Sequence, residues 1–367
     1  MLNIHALQAR FGDCLLLEAG GSAKRFVLID GGPPDTFADD LEPTLKTLVG
    51  VGKALDLVVL SHVDNDHVIG LLDLFAALQE SHTNRDEKPL VRVGRLWHNS
   101  FGRAIDPNGE IMQRLQVLLN VSGTAGVAMP LSADAFFGIR EGYRLRTLAA
   151  QLSLPINADF ENDTITVDTA PKAVVLGELR LRVVGPTQAN LEALREEWLQ
   201  WLEKNEQRIL RDPGTAANSD RSIPNLSSIV LLAEVGGKTA LLTGDARGDH
   251  IEQGLQQAGL SRNGRFHVNL FKLQHHGSDR NVVASFFERI TADTYLVSAD
   301  GRHDNPDYHT LKWIVQAAKK QNRAIRIVAT NATPATRKLV KDLPPKRYGY
   351  SFNVRDPSQH YVSVPVG

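Results

Sequence analysis

The sequence predicts an α/β protein in which two strand-rich halves flank a mostly helical insert over residues 101–225, an arrangement that fits a four-layer αββα sandwich. Short continuous apolar runs, of which Leu55–Leu60 (LDLVVL) is the clearest, mark strands buried on both faces. Helix-spaced apolar segments alternate with them through the first hundred residues in the order β-β-α-β-α-β. The strand pattern then lapses and returns from Ser228.

In chain order, Cys14–Glu18 and Phe26–Ile29 read as strands joined by the turn Ala19-Gly20-Gly21-Ser22. Leu41–Leu48 has helical spacing, Leu55–Leu60 is the buried strand, Val68–Leu78 is a helix and Leu90–Trp97 a strand. Within the insert, Asn190–Leu210 is amphipathic: Leu191, Leu194, Trp198, Trp201, Leu202 and Ile209 share one helical face, opposite Glu192, Glu196, Glu197, Glu203 and Lys204. Residues 211–219 read as a loop. Ile229–Ala233, Thr239–Leu242, Leu270–Leu273, Thr294–Val297, Ile325–Ala329 and Tyr350–Val354 complete the strands of the second half. We treat residues 1–367 as one domain with the insert as a lid or subdomain.

Composition narrows the function classes. Over 367 residues the net charge is -1, so affinity for a polyanion requires a local patch. The one cysteine, Cys14, excludes a disulfide framework and a cysteine-built metal site. No apolar run approaches the ~20 residues of a membrane span, and the N-terminal residues lack a signal-peptide pattern. The expectation is a cytoplasmic protein without membrane partners.

The densest chemical signal is Ser61-His62-Val63-Asp64-Asn65-Asp66-His67, between the buried strand and a helix. Two imidazoles and two carboxylates this close on a loop form a set of metal donors. Asp66 alone could cap the helix; four donors in this order exceed what a cap needs.

His-x-Asp-x-Asp-His resembles the metal motif of the metallo-β-lactamase superfamily, whose members are αββα sandwiches with the metal site at the edge between the sheets. Leu241–Ala246 resembles the strand ending in that superfamily's bridging aspartate, Lys272–Ser278 the strand ending in a metal-binding histidine, and Leu28–Gly32 an early strand and turn. More narrowly, Phe11–Leu17, Leu60-Ser61-His62, His275-His276-Gly277-Ser278, and Ser298 with Asn305-Pro306 and His309 resemble the hydrolase domain of bacterial DNA-uptake competence proteins (ComEC-like) and its stand-alone relatives. The resemblance spans both halves and leaves out the insert.

It implies one or two divalent ions. His62, Asp64 and Asp245 would hold one; Asp66, His67, Asp245 and one of His275 or His276 would hold the other. We assign His275 as ligand and His276 as the phosphate-facing acid, with the exchanged assignment left open. The histidine that relatives carry ahead of the bridging aspartate is absent, and Asn225 stands near its place. The imidazoles suit Zn²⁺, while the oxygen-rich first site also suits Mn²⁺. Such ions lower the pKa of water and polarise phosphoryl oxygens. Asp66 is then placed to accept a hydrogen bond from the attacking water, and His276 or His309 to protonate the leaving oxygen. Asn225, Ser278, Asn305 and His98 are candidate substrate contacts; for His98, Asn305 and His309 a purely structural role is the competing reading. Asp30 is read as fixing the Gly31-Gly32 turn.

The resemblance implies a metal-dependent phosphodiesterase or nuclease, with DNA or RNA as a phosphate-bearing substrate. Residues 319–347, with nine Lys and Arg against Asp342, offer a backbone-tracking patch or a solvated helix face. The near-neutral net charge favours an alternative, a hydrolase of small lactones, thioesters, cyclic nucleotides or phosphocholine-type esters. A regulatory module on the same scaffold is the third reading.

Overall fold

A computed structural model describes residues 1–84, 88–124, 132–212 and 227–367. Its first half contributes β1 (Leu2–Leu7), β2 (Leu15–Ala19), β3 (Arg25–Ile29), β4 (Lys53–Leu55), β5 (Leu57–Leu60), β6 (Val91–Val93) and β7 (Leu96–His98). The remainder contributes β8 (Val174–Leu176), β9 (Leu179–Gly185), β10 (Val230–Val235), β11 (Lys238–Leu242), β12 (Phe266–Lys272), β13 (Ile290–Val297), β14 (Ile325–Ala329), β15 (Tyr350–Val354) and β16 (Tyr361–Pro365). Among the described residues these form a six-stranded sheet ordered β16-β1-β2-β3-β5-β7, an eight-stranded sheet ordered β15 to β8, and the small pair β4-β6.

Side chains alternate between faces along a strand, and each sheet is covered on both. Leu15, Leu17, Val27, Ile29, Leu57 and Val59 of the first sheet meet Leu181, Val183, Leu231, Leu242, Leu270 and Leu296 of the second in a shared core. Leu16, Leu28, Val58 and Leu60 face outward to Val68, Leu71 and Phe75 of the helix Asn65–Thr83. Phe271, Tyr295 and Val297 pack on Leu311, Ile314 and Val315 of the helix Tyr308–Lys320. Helix, sheet, sheet, helix is the αββα order that the apolar runs predict. A separate cluster joins Phe101, Ile111 and Leu115 to the expected apolar face of the helix Gln188–Arg211, on which Leu191, Leu194, Trp198, Trp201, Leu202 and Ile209 are all buried.

Two features depart from the sequence reading. The insert is not bounded as predicted: β8 and β9 lie within 101–225, yet they complete the edge of the eight-stranded sheet, β9 pairing antiparallel with β10. The alternation in Leu179-Arg180-Leu181-Arg182-Val183 is a half-buried strand signal. The chain ends also pair, β1 lying antiparallel to β16. No helix among the described residues is long and apolar enough to cross a membrane.

The strands β5 and β7 in one sheet and β11, β12 and β13 in the other run in parallel pairs. The loops after β5, β11 and β12, with the first turn of the helix Asn65–Thr83, carry the candidate donors, and open α/β sheets place ligands at such carboxyl ends. A glycine contact docks the motif helix: a Cβ on Gly70 would lie 2.0 Å from the Gly31 oxygen, and one on Gly31 2.2 Å from the Leu71 nitrogen. Gly70→Ala is therefore expected to destabilise the protein by about 1–3 kcal/mol in urea unfolding, through overpacking against rigid backbone. An unchanged midpoint would contradict the contact.

Candidate metal centre

Asp30 organises the centre from behind. The Ser61 N–H donates to its Oδ1 at 2.7 Å, and the Ser61 hydroxyl donates to its Oδ2 at 2.7 Å. His67 Nδ1 lies 2.9 Å from the same Oδ2. With its proton given to Asp30, the Ser61 hydroxyl is left to accept from His62 Nδ1–H at 3.1 Å. Both rings thus donate from Nδ1 and turn Nε2 forward, where a cation would replace any proton it holds.

Those nitrogens converge on Asp245, which is 2% exposed and whose N–H donates to the Ser228 hydroxyl at 3.3 Å. Its Oδ1 lies 3.4 Å from His67 Nε2 and 3.5 Å from His276 Nε2. Its Oδ2 lies 3.7 Å from both His62 Nε2 and His275 Nε2. Asp66 Oδ2 is 3.3 Å from His276 Nε2 and 3.8 Å from His67 Nε2, and Asp64 Oδ2 is 3.7 Å from His62 Nε2. Nε2 of His62, His67 and His276 and Oδ1 of Asp245 are buried without a hydrogen-bond partner. Buried polar atoms are rarely left so. Convergent lone pairs of imidazole and carboxylate fit a divalent cation, and His62/Asp66/His67 and His67/Asp245/His276 each gather within metal-ligating reach.

The electrostatics agree. Burial opposes the charge on Asp245, yet His276, His275, His67 and His62 outweigh it and hold the carboxyl well below its ordinary range. Burial likewise opposes charge on His67 and His276, but the surrounding carboxylates win: His67 is held well above the ordinary imidazole range and His276 is pushed up to about 10, chiefly by Asp245 and Asp13. The pocket favours positive charge at its centre, which protons or a metal ion supply.

The two adjacent histidines are used differently from the expectation. His276, not His275, sits with Asp66 and His67. Both have left-handed backbone, φ 46° at His275 and 54° at His276, which sends the neighbouring rings apart, 6.0 Å between centroids and 80° between planes. His276 Nδ1 faces the Ser298 carbonyl at 3.2 Å, so this nitrogen donates and Nε2 is the one turned to the centre. His275 Nδ1 instead meets the Asn281 amide nitrogen at 2.7 Å; that amide donates, leaving the proton on His275 Nε2. The His275 side chain is 31% exposed, at the mouth of the centre.

Other predicted contacts lie apart from the cluster. Ser278 directs its hydroxyl to Asp307, 3.5 Å away; Pro306 packs on Gly277, and the Asn305 N–H donates to the Arg302 carbonyl at 3.3 Å. The exposed His309 meets Asp279 at 3.3 Å and stacks on Trp313. His98 is 1% exposed, shut between the end of β7 and the helix Ser132–Gln151, and lines no open surface. Asn225 lies outside the described residues. Asp30, Ser61, Asn281, Ser298, Asp13 and Lys272 are the supporting residues that the sequence reading missed or assigned to turns.

Burial, reinforced by Arg146, lowers His98 to about 3 from the ordinary 6.5. Because its folded pKa is depressed, the folded state resists a proton that the unfolded chain accepts. The associated stability is present above 6.5 and is lost as pH falls toward 3, at about 1.4 kcal/mol per pH unit for one proton. His98→Phe is expected to flatten that acid limb in denaturant titrations; an unchanged slope would show that His98 does not set it.

The sequence model described as the Metallo-beta-lactamase superfamily matches residues 7–140. Residues 7–140 are thus similar to a metallo-β-lactamase superfamily domain. The αββα sandwich seen here is the metallo-β-lactamase fold, and it brings Asp245 and His276, which lie beyond the matched residues, to the His62–His67 motif. No curated protein matches the chain. Among solved structures, Zn²⁺-bound PqqB from Methylobacterium extorquens is similar at 12% identity and TM-score 0.40, over 96% of this chain and 87% of that one.

Proposed function

We propose that the protein is a metal-dependent phosphodiesterase, a nuclease in the leading form of this reading. What supports it is one buried carboxylate, Asp245, set between two donor groups: His62, with Asp64 beside it, toward Oδ2, and His67 and His276, with Asp66 beside them, toward Oδ1. These residues would hold one or two divalent ions, Zn²⁺ first for its three imidazoles and Mn²⁺ as the alternative for its three carboxylates. Such ions, when bound, supply Lewis acidity at a phosphoryl oxygen and make water acidic enough to attack at neutral pH. Asp66, partly exposed, accepts a hydrogen bond from the attacking water and orients it. His275 takes the phosphate-facing place first given to His276, because its Nε2 carries a proton and its ring reaches solvent.

One observation favours the small-ester alternative. In the basic C-terminal segment, Lys320 pairs with Glu288, Lys338 with Asp342, and Arg323 caps the Ala292 carbonyl, so part of the charge is committed within the fold. The test is hydrolysis of bis-p-nitrophenyl phosphate with Zn²⁺, Mn²⁺ or chelator, followed by salt-dependent binding of single-stranded DNA. Chelator-sensitive turnover with DNA affinity that falls as salt rises supports the nuclease. Metal without diester turnover moves the assignment to lactones and thioesters.

A further inference from the structure

A buried ion pair lies directly behind the centre. Lys272, at the end of β12, has no exposed surface; its ammonium pairs with Asp13 Oδ2 and donates to the Leu273 carbonyl at 2.9 Å. Asp13 is 1% exposed, and its N–H donates to the Asp66 carbonyl at 3.2 Å. Its other oxygen, Oδ1, has no well-aligned hydrogen bond, yet lies 3.3 Å from His276 Nδ1. The same nitrogen gives its better-aligned hydrogen bond to the Ser298 carbonyl, and the Ser298 hydroxyl donates to the Gly12 carbonyl at 2.7 Å. The loop through Gly12 and Asp13 is thus tied at once to Asp66, to His276 and to β12.

A buried ion pair contributes little to stability compared with an apolar pair of the same size. This one has a second use within reach. A metal-ligating imidazole is oriented and made more basic by a carboxylate or carbonyl at its far nitrogen. We propose that Asp13, held in place by Lys272, is a positioning residue for His276, fixing the ring so that Nε2 faces Asp66, His67 and Asp245. Lys272 keeps the Asp13 carboxylate from adding an unbalanced charge to a centre that already has Asp66 and Asp245. This inference rests on the metal-binding reading of the centre.

The test replaces both members together, since removing one leaves a buried charge unpaired. Zn²⁺ affinities of the wild type, Asp13→Ala with Lys272→Met, and His276→Ala are compared by competition with a chromophoric chelator. The double variant is expected to weaken, by about 10–100-fold, the same ion that His276→Ala removes, while the other ion holds within about threefold. Affinities equal to wild type for both ions, or an equal loss at both, would overturn the positioning role. Should that variant fail to fold, Asp13→Asn with Lys272→Gln removes both charges at nearly constant size and is read the same way. A wild type that binds no ion overturns the metal reading as well, so the two failures are distinct.

Discussion

Asp245→Ala is expected to abolish stoichiometric binding of divalent metal and, with it, any ester hydrolysis. Asp245 is the residue both donor groups share, with Oδ1 facing His67 and His276 and Oδ2 facing His62 and His275. Residues one step removed from a metal change affinity by about 10–100-fold. The shared ligand itself should exceed the upper end of that range for each ion. The fold should persist, because the Asp245 N–H contact with Ser228 and the strands around it do not depend on the carboxylate. Metal content after dialysis, with circular dichroism as the control for folding, checks this. A folded variant that retains its metal would remove Asp245 from the centre.

Asp30→Ala should have the next largest effect, although Asp30 touches no metal in this account. Its carboxylate takes hydrogen bonds from the Ser61 backbone and hydroxyl and from His67, and through Ser61 it fixes His62. Removing it frees both rings to carry their proton on Nε2, which blocks ligation. We expect a loss of about 10–100-fold in affinity at each of the two ions. The buried Ser61 N–H, left without its partner, should also destabilise the fold by about 1–3 kcal/mol. The single loss at two ions is the distinguishing feature. A variant that weakens only one ion would mean that Ser61 orients His62 without Asp30.

The fold was legible where burial leaves a continuous apolar run. Leu55–Leu60 and Phe26–Ile29 read as strands, and the structure has Leu57–Leu60 and Arg25–Ile29, because both faces of the first sheet are covered. The strands Leu2–Leu7 and Tyr361–Pro365 were missed: they find each other only at opposite ends of the chain, which local pattern cannot reveal. Val174–Leu176 and Leu179–Gly185 were lost among apolar but poorly periodic neighbours, although Leu179-Arg180-Leu181-Arg182 alternates.

The donors around His62 were legible because His62, Asp64, Asp66 and His67 lie within six residues, where a strand gives way to a helix. Which of His275 and His276 faces them was not, since the choice turns on left-handed backbone at both residues. The supporting shell was equally hidden. Asp13 and Lys272 meet across 259 positions of sequence, and Asp30 reaches His67 across 37. The basic segment misled in the other direction, because sequence counts charges and cannot see that Lys320 and Lys338 already have partners.

If these residues form a metal centre, metal binding and folding stability are linked. Thermal unfolding of the wild type would be followed after chelation and again with Zn²⁺ or Mn²⁺ in excess. An ion that binds only the folded state at about a thousand times its dissociation constant adds about 4 kcal/mol, a rise of several degrees. That rise is expected together with one or two bound ions per molecule, and both the rise and the ions should be lost in Asp245→Ala. Identical melting with and without metal, and no ion retained by the wild type, would contradict it.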